Sequence, residues 1–168
     1  MKFKWAFRAL LYRIFNYKIK AIYIGKPINI KGFQRIRLDN GVGIYPGSRL
    51  EVQKKMKLKI GENTRIGHLF FVDASSDVTI GANCTFSSNV FISTAIYDWE
   101  NIRFNGFKNS EIASKPVIIG NNVFIGINSV IFPGVTIEDN VVVGANSIVN
   151  KDLKKETIFY NEVKSIFR

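Results

Sequence analysis

From Ile119 to Val149 every sixth residue is a branched aliphatic: Ile119, Ile125, Ile131, Ile137, Val143 and Val149. A helix repeats its faces every 3.6 residues and a strand every two, so a strict period of six fits neither alone. It fits a chain that lays down a short strand, turns a corner and repeats, with three strands to a turn of about eighteen residues. The same spacing recurs earlier in triplets: Leu38, Ile44 and Leu50; Ile60, Ile66 and Val72; Ile80, Phe86 and Ile92. Each aliphatic then points to the axis of a triangular prism and stacks on its equivalents in the turns above and below. Such a column is a continuous core, stabilised by roughly 25 cal/mol per Å² of apolar area removed from water. The pattern predicts an all-β solenoid, a parallel β-helix of about five coils over residues 23–153.

The residues between the aliphatics fit the same prism. The next residue is often glycine (Gly61, Gly67, Gly81, Gly120, Gly126, Gly144) or an acid (Asp39, Glu51, Asp73, Glu138). Four residues after each aliphatic comes a second inward position, at the corner. It is mostly small: Thr64, Cys84, Val90, Val123, Ser129, Val135, Val141 and Ser147, with Phe70 as an exception. Where the hexad spacing lengthens, from Leu50 to Ile60 and from Val72 to Ile80, short loops leave the prism at one corner of successive turns. From Ile92 to Ile119 the spacing is 27, so a long loop, residues 94–116, leaves that same corner. Long loops in compact repeats more often carry function than not.

The net charge of +11 is unevenly placed. No acid precedes Asp39, whereas Lys2, Lys4, Arg8, Arg13, Lys18, Lys20, Lys26, Lys31, Arg35 and Arg37 do. Residues 1–22 read as a basic amphipathic helix, with Phe3, Phe7, Leu10, Ile14 and Tyr17 along one face. Two roles fit it: a cap on the raw edge of the first coil, or contact with an anionic membrane surface. Beyond that segment the charges nearly balance, which argues against a nucleic-acid partner. No apolar run approaches the length of a membrane span, and the N-terminus makes a poor signal peptide. A single cysteine, Cys84, forbids an intramolecular disulfide and sits on the ladder as a small buried hydrophobe. The cytoplasm is the compartment this favours, either free or at the inner face of the membrane.

The stretch KPVIIGNNVFIGINSVIFPGVTIEDNVVVGANSIVNKDL, residues 115–153, resembles the hexapeptide-repeat acyltransferases. These are left-handed β-helix acetyltransferases, and the likeness is to those of surface-polysaccharide biosynthesis and the galactoside and maltose O-acetyltransferases. The resemblance implies left-handed coils, a homotrimer, acetyl-CoA as donor substrate, and a sugar or lipid-linked sugar as acceptor in envelope or capsule assembly. It places acetyl-CoA in a groove between subunits along the C-terminal coils. The matching positions are Phe124, Gly126, Ile127, Ala145, Asn150 and Lys151, with Lys151 facing a phosphate of the nucleotide end. Ile127, Asn150 and Phe124 depart from the usual small or polar residue, threonine and tryptophan. The acceptor side falls on Asp73, Arg103 and Asn105. Residues 154–168 form a basic tail lacking the turn with which such chains often end.

The resemblance also implies a general base at the start of the long loop, usually a histidine, because an acceptor hydroxyl must lose its proton as it attacks the thioester. Here the loop begins NVFISTAIYDWENIRFNG, and Tyr97 occupies the histidine's position, with Ala95 at that of an earlier histidine in some relatives. Tyrosine, ionising near 10, is a poor base at neutral pH unless a cation such as Arg103 favours the phenolate. Asp98 is a second candidate and His68, the chain's one histidine, a third, reaching the same cleft from its own or a neighbouring subunit. One histidine cannot build the three-histidine metal site of related β-helix carbonic anhydrases, so no metal is expected. The alternative is a catalytically inactive trimeric β-helix that binds or scaffolds.

Overall fold

The structure, a computed structural model, describes residues 2–106 and 112–161, the side chains of Asn105 and Ile112 excepted. The hexads build three parallel sheets, the faces of a prism. The first face runs through Tyr23–Ile24, Gly43–Ile44, Arg65–Ile66, Thr85–Phe86, Phe124–Ile125, Val142–Val143 and Ile158–Phe159. The second runs through Asn29–Lys31, Arg49–Val52, Phe71–Ala74, Phe91–Ser93, Val130–Ile131 and Ile148–Val149. The third runs through Ile36–Leu38, Leu58–Ile60, Val78–Ile80, Val117–Ile119 and Thr136–Ile137, with single bridges Ile19–Leu38 and Ile137–Leu153 extending it. A parallel neighbour normally needs a long crossover. Here the other two faces are the crossover: Phe124 pairs with Val142 and Ile131 with Val149, each eighteen residues on.

The solenoid makes about six turns, one more than the sequence predicts. The difference lies at the two ends, where hexad aliphatics are sparse. Tyr23–Ile24 and Asn29–Lys31 supply strands before Leu38. Ile158–Phe159 pair with Val142–Val143 and carry the coil past residue 153. The aliphatics from Ile119 to Val149 are at most 1% exposed. The corner positions Thr64, Cys84, Val90, Val123, Ser129, Val135, Val141 and Ser147 are buried as well. Phe70 fits its corner because Phe86 packs edge-on against it at 5.4 Å. Burial pushes the Cys84 thiol up, away from the reactive thiolate.

The tight corners explain the glycines. A Cβ on Gly81 would lie 2.4 Å from the Gly120 carbonyl oxygen, and one on Gly61 2.6 Å from the Gly81 backbone. The corners are also turned by asparagines in the left-handed region. Asn63, Asn83, Asn89, Asn122, Asn128, Asn140 and Asn146 have φ between 56° and 60°. Each follows a ladder residue by three positions. Among non-glycine residues asparagine tolerates this conformation best. Their amides stack into ladders: Asn89 Nδ2 donates to Asn128 Oδ1 (3.0 Å), and Asn128 Nδ2 to Asn146 Oδ1 (3.1 Å).

Helix α1 (Lys2–Phe15) covers the first coil. Trp5 and Ala9 are buried, and Tyr12 packs on Phe33 with ring centroids 5.2 Å apart. Asn16 ends the helix and ties it down. Its Nδ2 donates to the carbonyls of Phe33 (2.8 Å) and Ile36 (3.1 Å), and its Oδ1 accepts from Lys18 N (3.1 Å). The capping face is thus Trp5, Ala9 and Tyr12. The face read from the sequence, Phe3, Phe7, Leu10 and Ile14, looks outward.

Candidate active site around the second face

The insertions all leave the corner between the second and third faces. The long one is structured. Thr94, fully buried, anchors its exit: Oγ1 donates to the Asp73 carbonyl (3.1 Å) and accepts from Ser76 N (2.8 Å). Lys115 N donates to the Thr94 carbonyl (3.0 Å) and fixes the return. Between these anchors Ala95–Tyr97 pairs antiparallel with Ile112–Ser114. This two-strand stem carries helix α2 (Trp99–Asn105).

Tyr97 ends the outgoing strand of the stem and is 47% exposed. Asp98 caps α2, its Oδ1 accepting from Asn101 N at 2.9 Å. That bond explains the residue locally: an aspartate at the N-cap satisfies an otherwise orphan helix donor. Arg103 lies on α2, its guanidinium 5.5 Å from the Phe104 ring centroid. Asn105 ends α2, and its side chain lies outside the described residues. Asp73 sits one turn below the loop exit, in register with Ser93, and accepts from Ser75 Oγ at 3.1 Å. The fold therefore puts Asp73 at the foot of the stem, at one edge of the second face, and Tyr97, Asp98 and Arg103 on the stem and the helix it carries.

His68 stands at the opposite edge of that face, at the corner after Arg65–Ile66. Its ring lies 4.9 Å from Tyr45. Tyr45 in turn packs on Tyr23 (5.5 Å) and Trp5 (5.7 Å), so the histidine ends an aromatic row under α1. Burial, then the hydrogen bond with Tyr45, pushes the Tyr23 phenol up to about 12. Within one chain the fold does not join His68 to the loop.

The C-terminal positions bracket the same face. Ile127 and Ala145 are exposed at its first edge, and Asn150 and Lys151 at its second. Between them Ile148 points outward, in line with Val130, Phe91 and Phe71. Phe71 and Phe91 stack at 4.7 Å, and the Arg49 guanidinium lies 4.6 Å over Phe71. Gly126 is buried, and a Cβ there would lie 2.4 Å from Ala145 N, so coil stacking accounts for the glycine. Phe124 continues into Val142 and Ile158 as an apolar column on the first face. At the end of the prism Lys151 meets the Phe159 ring (5.8 Å), and an open cleft is lined by Asn150, Lys151, Ile158, Phe159, Tyr160 and Asn161. Asn161 Oδ1 accepts from Ile148 N and holds this last segment across the terminal turn. Sequence reasoning missed Phe159, Tyr160 and Asn161, because they follow the last hexad and carry no period. Among the described residues no three His, Cys, Asp or Glu side chains gather as a metal site would require.

Comparison with known proteins agrees with this architecture. The family model described as the hexapeptide repeat of succinyl-transferase matches residues 116–151. The chain is 37% identical over 118 residues to the galactoside O-acetyltransferase of Escherichia coli, covering 67% of this chain and 57% of that one. It is 32% identical over 126 residues to the bifunctional protein GlmU of Methanococcus vannielii, covering 74% of this chain and 29% of that one. Among solved structures, AntD, an N-acyltransferase from Bacillus cereus in complex with dTDP and 3-hydroxybutyryl-CoA, superposes with a TM-score of 0.71 at 23% identity, over 88% of this chain and 80% of that one. The match thus spans little more than half of the first relative and less than a third of the second. In repeat and fold the chain is similar to the hexapeptide-repeat acyltransferases.

Proposed function

We propose that this chain is an acyl-CoA-dependent acyltransferase that acetylates a hydroxyl or amine of a sugar. The observation that carries the reading is one of placement. A two-strand stem leaves the edge of the same prism face whose C-terminal turns carry Ile127, Ala145 and Lys151, and Tyr97 and Asp98 stand at its end. A galactoside O-acetyltransferase among the relatives and an N-acyltransferase bound to dTDP and an acyl-CoA among the fold neighbours support the substrate classes.

The residues fit such a donor. A pantetheine arm is narrow and mixed in polarity; it suits a strip where Ala145 offers no bulk and Ile127 and Ile148 offer apolar contact. The exposed Lys151 ammonium suits the phosphates at the nucleotide end. When bound, acetyl-CoA supplies an activated thioester. The acceptor's oxygen or nitrogen bonds to the acetyl carbon, the carbon–sulfur bond breaks, and the acceptor's proton ends on the CoA thiolate. Tyr97 receives or relays that proton, and Asp73 and Arg103 hold acceptor hydroxyls. A homotrimer completes the site, because a neighbouring copy would close the strip and bring its own His68 toward the loop. Envelope or capsular polysaccharide assembly at the inner face of the membrane is the setting that suits such an acceptor.

The transfer assay is direct: acetyl-CoA is incubated with a panel of sugars and sugar nucleotides, and free thiol release and acceptor mass are followed. Thiol release matched by a gain of one acetyl group on one acceptor class supports the reading. Saturable acetyl-CoA binding without transfer to any acceptor favours the second reading, an inactive binding or scaffolding solenoid. Tyr97, where the resemblance implies a base histidine, favours that reading, and His68 lies away from the loop of its own chain.

A further inference from the structure

The outward face of α1 has no partner among the described residues, and its chemistry is specific. Trp5, Ala9 and Tyr12 lie on the side that caps the solenoid. On the opposite side Phe3 is 83%, Phe7 55%, Leu10 57% and Ile14 71% exposed. A helix with two apolar sides has used one for its fold and kept the other. At about 100° per residue, Lys4 borders the exposed stripe on one flank and Lys2 and Arg13 on the other.

The charge continues past the helix. Tyr17, two residues beyond α1, opens a cleft along the third face lined by Lys18, Lys20, Arg35, Arg37, Lys57 and Lys59. Arg37 and Lys59 are direct register partners on neighbouring strands, so two like charges lie side by side there. Among the described residues the one carboxylate lining the cleft, Asp39, is paired to Arg37 at 2.7 Å.

We propose that the N-terminal end of the prism docks on an anionic lipid bilayer. Phe3, Phe7, Leu10 and Ile14 enter the boundary between headgroups and acyl chains, and the flanking cations and the basic cleft meet lipid phosphates. Charge complementarity selects this occupant over a second copy of the chain: α1 carries basic residues and no acid, so two copies meeting through this helix would juxtapose like charges. Among the described residues no helix is long and apolar enough to cross a membrane, so the attachment is peripheral. The inference does not depend on acyl transfer, and its test reads binding alone.

The full chain is sedimented with vesicles of phosphatidylcholine, with and without about 30% phosphatidylglycerol, at about 0.1 M and about 0.5 M salt. The parent chain is expected to partition onto the anionic vesicles at low salt and not onto neutral ones. F7S/I14S should reduce that partitioning at least about tenfold, since it removes buried apolar groups. K4Q/R13Q should weaken it and flatten its salt dependence. Circular dichroism and thermal unfolding verify that each variant keeps its fold, as exposed positions should. Failure of the parent to bind anionic vesicles overturns the proposal, as does F7S/I14S binding like the parent. Absent vesicle binding with a lower oligomeric state in F7S/I14S also overturns it and makes the face a contact between copies.

Discussion

Tyr97 stands at the end of a two-strand stem and is accessible from solvent, and we propose it as the group that handles the acceptor's proton. General-base assistance contributes typically 10²–10⁴-fold. Tyr97→His is therefore expected to raise acetyl transfer at neutral pH by about a hundredfold, and Tyr97→Phe to lower kcat with little change in the KM for acetyl-CoA. Equal kcat in all three proteins would remove Tyr97 from the chemistry. A different residue governs alkaline stability. The Tyr23 phenol, pushed up to about 12 by burial and by Tyr45, holds its proton where an unfolded tyrosine near 10 has lost it. Stability is then unaffected below about 10 and falls as pH rises from about 10 to about 12. Thermal unfolding across that window should show the decline, and Tyr23→Phe should flatten it. At the corners, Gly81→Ala drives a Cβ to 2.4 Å from a backbone oxygen that cannot swing away. Overpacking of this kind costs about 1–3 kcal/mol, readable in denaturant titration; an unchanged midpoint would mean the coil gives way more easily than its stacking implies.

The turn of the prism is the element that sequence specifies best, and the corner ladders show why. Asn128 accepts from Asn89, donates to Asn146 and has φ 60°. Asn128→Ala is expected to cost about 1–2 kcal/mol through the left-handed backbone alone. Asn128→Gly should cost less, because glycine adopts that conformation freely. If the two variants unfold at the same denaturant concentration, the backbone argument fails at this corner. The hexad core from Ile119 to Val149 was legible because a buried column tolerates only apolar residues at a fixed period. The asparagines, three residues after the aliphatics, were equally visible as a pattern; reading them needed the positive φ of the corner. The stem and α2 were not legible, since residues 94–116 answer to no repeating environment. Two sides of α1 are apolar, so composition alone left open which one caps the coil; Trp5, Ala9 and Tyr12 win because they meet Tyr23, Tyr45 and Phe33. The candidate site residues come one by one from the resemblance and stand as proposals. Their arrangement, with the stem and Lys151 on one edge of a face and Ile127, Ala145 and His68 on the other, emerged only from the fold.

That arrangement leaves one face of each prism flanked on both sides by candidate site residues and open between them. We propose that a parallel-axis trimer closes it, which would link assembly to activity. Light scattering should give three times the mass of one chain. Mixing Tyr97→Phe chains with Lys151→Ala chains, each poorly active alone, should restore part of the activity if one site draws on two subunits. No restoration in verified mixed trimers would place each site within a single chain. All of this rests on the claim that the C-terminal turns accept an acyl-CoA, which calorimetric titration of the purified chain with acetyl-CoA tests most directly. The account predicts saturable binding at one site per chain, weakened about tenfold or more by Lys151→Ala as a phosphate contact is lost. No heat of binding up to millimolar ligand, from a folded protein, would contradict it.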